Sequence, residues 1–160
     1  MSVRSRIRRR LRSLLVGELV NIPLQWAIWF GVVGLPVTAV NLAGFAVFAL
    51  LLLEGAGYWT AKLRQLSTGA PLPPGVRVFA ALRLANPVVL AAVLAWTATA
   101  TERDPGAATI PGLAFAAFAA LEHVNYFHVQ LMYDNRADTR RLRARGLRRS
   151  HLARDLARLG

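Results

Sequence analysis

A cluster of polar and ionisable side chains directly follows an uncharged apolar run. The run spans residues 110–121, and the cluster comprises Glu122, His123, Asn125, Tyr126 and His128. A charged side chain in the hydrocarbon core of a bilayer costs at least ~2.5 kcal/mol on insertion scales, so such a glutamate indicates a functional position. Carboxyl and imidazole groups within two helical turns of each other can carry protons, coordinate a cation or bind a polar headgroup.

The spacing of these residues argues against a metal site. Di-iron four-helix bundles use Glu-x-x-His, whereas here Asn125 stands three positions after Glu122. His123 and His128 are five residues apart, about 140° around a regular helix, which is too far to hold one ion. The chain also has no cysteine, which excludes thiolate ligands, disulfides and cysteine nucleophiles. We therefore predict no metal site, and the sequence specifies no cofactor.

The composition is typical of a membrane protein with basic ends. Of 160 residues, 55% are hydrophobic, yet the net charge is +12. A helix needs ~20 residues to cross the hydrocarbon, and four apolar segments are long enough. They cover residues 14–34, 37–59, 76–99 and 110–133. We predict an all-α polytopic membrane protein in which residues 1–134 form an antiparallel bundle of four transmembrane helices and residues 135–160 a basic helical cytoplasmic tail.

The arginines predict the orientation. Residues 1–12 hold six arginines, the segment after Asp134 holds nine, and the predicted outer connections hold only Arg103. Positive-inside counting places both termini in the cytoplasm of a multi-pass inner-membrane protein. Anionic lipids attract such arginines by about 1 kcal/mol per charge, so we expect lipid partners and no nucleic acid. Short amphipathic helices are predicted at both ends, the second capped by Ser150.

Polar residues also interrupt the other spans. Glu18, Asn21 and Gln25 form one stripe on the first helix, and Asn86 lies in the third. We expect these residues and the Glu122 face to be buried against each other in a polar pocket open to the cytoplasm. For the amides, hydrogen bonds that only join helices are the alternative. Glu54 and Arg83 lie roughly 9–12 Å inside interfacial bases, so they either form an ion pair or snorkel separately.

The segment from Leu121 to Asp134 resembles one found in a family of small four-span bacterial integral membrane proteins. The shared pattern is E-x-x-N-Y-[FY]-H-x-Q-L-x-Y-D, and it covers the last third of the chain together with Asp138 and residues 152–156. The resemblance implies that the segment is one unit, from a buried helix into its cytoplasmic exit. It implies no role for any single residue.

These observations lead to a functional hypothesis with two alternatives. The first is a polar intramembrane site centred on Glu122 that binds an ion, a proton or a small amphiphile, as in a small transporter or channel-like subunit. The alternatives are an intramembrane lipid-modifying enzyme, with Glu122 or His128 as the acid or base, and a membrane-complex subunit without catalysis. A bundle this small is expected to associate with copies of itself or with another membrane protein.

Overall fold

The computed structural model describes residues 3–131 and 147–159, and these residues form helices joined by short connections. The elements are α1 (Val3–Trp26), a π-helical segment that continues it (Ala27–Val32), α2 (Ala39–Thr68), α3 (Val76–Arg103), α4 (Ile110–Phe127) and α5 (His151–Leu156). Outside the helices, one isolated bridge pairs Val129 with Arg149. The predicted helical class is confirmed for the part of the chain that the structure describes.

Among the described residues, three helices are long and apolar enough to cross a membrane: Val3–Val32, α2 and α3. α4 begins at Ile110, as predicted, but ends at Phe127 rather than at residue 133, after 18 residues. The helix ends there because His128 leaves the helical conformation and Gln130 donates its backbone N–H to the Arg148 carbonyl at 2.9 Å, a contact with a segment distant in sequence. Tyr133 and residues 135–146 of the predicted helical tail lie outside the described residues.

α1 is one continuous helix, so the prediction of a separate amphipathic helix at the N-terminus was wrong. It starts at Val3, which places the arginines of residues 4–12 in its first turns. Pro23 lies inside α1, where it removes one intrahelical hydrogen bond, and the wider π-helical segment begins four residues later. α1 contributes no buried residue and packs along α2.

α2 and α4 form the centre of the molecule. A Cβ atom on Gly44 would lie 2.0 Å from the Gly112 carbonyl oxygen, so the two backbones touch where both residues lack side chains. The fully buried Asn41 donates to the carbonyls of Pro36 and Ala107, each at 2.9 Å, and accepts from the Gly112 N–H at 2.8 Å. This amide joins the connections that precede α2 and α4.

The two ends of the bundle differ in chemistry. We call the end that carries Arg4–Arg12, Lys62 and α5 the basic end, and the end with the connections 33–38 and 104–109 the far end. Near the far end, α1, α2 and α4 meet in an aromatic cluster, in which Phe115 contacts Phe30 and Phe45 at ring distances of 6.5 and 5.3 Å. The cluster also includes Trp26, Trp29, Phe48 and Phe118. Aromatic rings therefore fill the interior between α1, α2 and α4 towards the far end.

α5 packs against the basic end of the bundle. Ser150 caps it by accepting from the Ala153 N–H at 3.1 Å, as the sequence predicted, and its hydroxyl also donates to the Tyr126 carbonyl. Leu152 and Leu156 are buried in the core cluster. The amphipathic helix predicted here thus uses its apolar face for packing within the protein.

Candidate functional site

A pocket of about 620 Å³ lies between α1, α2 and α4, and α5 borders it at the basic end. Its apolar wall comprises Ile7, Leu11 and Leu14 of α1 together with Leu52, Phe118 and Leu152. Glu18 and Glu122 also line the pocket. A volume of this size is in the range of small-molecule sites, which cover ~300–1,000 Å³.

The predicted polar stripes of the first and fourth helices meet in this pocket. The Tyr126 hydroxyl donates to Glu18 Oε1 at 2.6 Å, and the Asn125 amide donates to Glu122 Oε2 at 3.2 Å. Glu122 is only 8% exposed. Neither glutamate forms an ion pair with any residue that the structure describes. We call Glu18, Glu122, Asn125 and Tyr126 the carboxylate cluster.

Gly55 of α2 makes room for the carboxylate cluster. A Cβ atom at this position would lie 2.8 Å from the Tyr126 hydroxyl and 3.1 Å from Glu18 Oε1. Tyr126 and Glu18 come from α4 and α1, which both pack on α2. They can therefore meet across α2 only because position 55 has no side chain.

The border of the pocket at the basic end is held by Asp155 of α5. This carboxylate is 4% exposed and accepts from the Tyr58 hydroxyl at 2.7 Å and from Lys62 Nζ at 3.0 Å. Both donors belong to α2, so they fix α5 to the bundle. The preceding residues Ser150 and His151 line the pocket.

His151 is uncharged at neutral pH. Desolvation lowers the pKa of this imidazole to about 4, assisted by the positive charges of Arg154, Arg148 and Lys62. The ring lies edge-on to Trp59, another residue of the pocket wall, at 6.1 Å. The border of the pocket next to α5 therefore presents a neutral imidazole and an indole.

The ion pair considered for Glu54 and Arg83 is absent. Glu54 Oε2 accepts from the Asn86 amide at 2.7 Å, its other oxygen is buried without a partner among the described residues, and Arg83 is exposed. Asn86 lies almost one turn deeper than Arg83 and supplies a hydrogen bond without the cost of burying a cation. Asn86 therefore pairs with Glu54 and does not join the carboxylate cluster. The expectation that Asn86 would share a pocket with the Glu122 face was wrong.

The two histidines of the α4 segment also lie outside the pocket wall. His123 is 5% exposed, stacks on Phe127 at 4.8 Å, and has no hydrogen-bond partner on either ring nitrogen in the described part of the chain. The angle of about 140° between His123 and His128 assumed a regular helix. α4 ends before His128, so that angle does not apply, and the two imidazole rings lie 5.5 Å apart. No group of three or more metal-ligating side chains occurs among the described residues.

Three structurally important residues were missed from the sequence. Asn41 and Trp59 carry no signal that separates them from other polar or interfacial residues of a span. Asp155 does carry one, because it follows Leu152 by three residues and precedes Leu156, which places it on the buried face of α5. An acid on that face needs a partner from the bundle.

No protein-family model, curated protein or solved structure matches this chain. The fold itself defines a helical protein with three apolar helices of membrane-spanning length. The site adds a pocket between α1, α2 and α4 that carries two carboxylates.

Proposed function

We propose that the protein is a multi-pass inner-membrane protein in which α4 is the fourth transmembrane helix and both arginine-rich ends lie in the cytoplasm. An 18-residue helix is ~27 Å long, close to the ~30 Å of the hydrocarbon. α4 also packs along α2 from Gly112 to Tyr126. The arginines in the first turns of α1 would then lie among anionic lipid headgroups.

An antiparallel arrangement of consecutive helices is supported by contacts at two depths. Glu18 lies near Gly55, whereas Trp26, further along α1, contacts Phe45, which comes earlier in α2. Tyr58 contacts Phe79, and Glu54 bonds to Asn86, so α3 shows the same relation to α2. With this alternation of directions, the chain lies at the basic end after α2 and again after α4.

The proposed activity is the binding of an ion, a proton or a small amphiphile in the pocket, as part of a small transporter or channel-like subunit. The observation that carries the proposal is the presence of Glu18 and Glu122 on the wall of one 620 Å³ pocket, without an ion-pair partner among the described residues. Glu122 is buried and Glu18 is half-buried. Ionisable side chains at membrane depth are costly and mark ion or substrate sites and proton relays. The aromatic cluster fills the interior towards the far end, so the pocket is accessible from the basic end.

The proposal can be tested by filling the pocket. Gly17 lines it, and a Cβ atom there meets nothing within 4 Å, so Gly17→Phe is expected to fold while its ring occupies the pocket. Val20 is 52% exposed and does not line the pocket, which makes Val20→Phe a matched control on the same helix. Native mass spectrometry of protein extracted in lipid nanodiscs should show a small-molecule adduct on the wild type and on V20F.

The adduct is expected to be lost from G17F. An adduct that persists in G17F would contradict a ligand-binding pocket, and a wild-type protein without one would exclude the small amphiphile and leave only an ion or a proton as the ligand. A Glu122→Gln variant should abolish the flux of the identified ligand in proteoliposomes while thermal unfolding stays cooperative. Flux that is unchanged in this variant would argue against a transport role for Glu122.

A further inference from the structure

We propose that the ligand of this pocket is a cationic amphiphile, a molecule with one organic ammonium group and an apolar body. This inference rests on the proposed binding function and specifies its substrate class. It follows from the charge of the pocket, from its length and from its aromatic wall.

The carboxylate cluster contains two acidic side chains and no basic one, which favours a cationic ligand. Glu18 and Glu122 each receive one hydrogen bond from the cluster, from Tyr126 and Asn125, and no described residue forms an ion pair with either of them. Arg10 also lines the pocket, but it lies eight residues from Glu18, ~12 Å along α1. A buried carboxylate is neutralised by a proton or by a bound cation. A ligand ammonium between the two glutamates would provide the positive charge.

The length and surface of the pocket favour an organic cation over a bare metal ion. The lining residues of α1 extend from Ile7 to Asn21, a rise of ~21 Å. Ile7, Leu11 and Leu14 follow each other at i, i+4 and i+7 on that side. Hard metal ions prefer six to eight oxygen ligands or water, which this wall does not offer. An apolar chain would bury these three aliphatic side chains and extend from the carboxylates towards the basic end.

Aromatic side chains complete the complementarity. Trp59 and Tyr126 line the pocket, and Tyr126 bonds directly to Glu18. The faces of indole and phenol rings attract ammonium groups, by ~0.5–1 kcal/mol at exposed sites and more when desolvated. An ammonium placed at the carboxylate cluster would therefore receive both charge and ring contacts, whereas an anionic headgroup there would meet two carboxylates.

Binding of three probes that share a hexyl chain and carry a cationic, a neutral or an anionic headgroup tests this proposal. Hexyltrimethylammonium, hexanol and hexyl sulfate are titrated by isothermal calorimetry into the full-length protein in a neutral maltoside detergent. We expect hexyltrimethylammonium to bind at least tenfold more tightly than either other probe. The double variant Glu18→Gln/Glu122→Gln should lose at least tenfold of that affinity, and either single variant can replace it if the double variant does not fold.

Glu54→Gln is the matched control. Glu54 is a glutamate at a comparable depth that pairs with Asn86 and does not line the pocket, so its removal should leave the affinity unchanged. Gly17→Phe should abolish binding. Equal affinity for hexanol and the cation, the tightest binding by hexyl sulfate, or no effect of the Glu18 and Glu122 variants would overturn the cationic class while the native adduct still supports a ligand pocket. Binding that survives in G17F would place the cation outside the pocket and overturn the inference.

Discussion

The contact between Tyr126 and Glu18 depends on the absence of a side chain at position 55. The hydroxyl of Tyr126 occupies the space that a Cβ atom of residue 55 would need. Hydrogen bonds to charged groups contribute ~1.5–3 kcal/mol, so a displaced hydroxyl would weaken both the fold and the pocket. Residues of α1 and α4 can thus meet only because position 55 of α2 carries no methyl group.

Gly55→Ala should lower the free energy of unfolding by about 1–3 kcal/mol, because the new methyl group pushes Tyr126 away from Glu18. Gly57→Ala is the control in the same helix, since its Cβ atom would come no closer than 3.9 Å to Phe79. Alanine favours a helix over glycine by up to ~1 kcal/mol, so G57A should be neutral or stabilising. Thermal unfolding in detergent measures both, and equal stability of the two variants would contradict the role assigned to Gly55.

At the scale of elements, α5 holds the C-terminal segment, residues 147–159, beside the pocket. It lies against the bundle through its buried leucines and through Asp155, and its first residues, His151 and Leu152, line the pocket together with the capping Ser150. The helix has only six residues, too few to be stable alone. Its structure therefore depends on its contacts with α2, α3 and α4.

Asp155→Ala should release α5 from the bundle, because it leaves Tyr58 and Lys62 without their shared acceptor. Breaking a buried pair costs ~3–5 kcal/mol, and the partial exposure of Lys62 reduces this figure. Hydrogen exchange of residues 147–159 should accelerate at least tenfold. Arg158→Ala, at an exposed position of the same segment, is the control and should leave exchange unchanged. Slow exchange in D155A would show that the leucines alone hold α5.

At the scale of the whole molecule, the helices differ in how closely they pack and in how much of their surface is buried. α2 and α4 share the closest backbone contact, whereas α1 packs on α2 without burying a residue. The pocket lies beside α1, so one wall of the site belongs to the helix with the least buried surface.

The proposed orientation predicts which connections face the cytoplasm. The chain has no cysteine, so single substitutions give unique labelling sites. In intact cells, a membrane-impermeant maleimide should label Gly106→Cys in the far-end connection and should label Ser67→Cys only after permeabilisation. Labelling of S67C in intact cells, or protection of G106C, would reverse the topology and place the pocket opening outside the cytoplasm.

The local properties of the chain were predictable from its sequence. Apolar length and helical periodicity predicted the helical class, and the structure confirms three helices of membrane-spanning length. The same periodicity placed Glu18 and Asn21 on one stripe and Glu122 and Asn125 on another. Their meeting could be inferred, because polar groups in a bundle avoid lipid and so face each other.

Only the tertiary structure decided which polar groups become partners. Glu54 pairs with Asn86 rather than Arg83, and α4 ends at Phe127, where the chain turns towards the segment that leads into α5. Depth along a helix can be counted from the sequence, but rotation and separation are set by distant contacts such as that between Gly44 and Gly112. The sequence therefore determined what each helix offers, and the packing of α2 against α4 determined which of those groups meet.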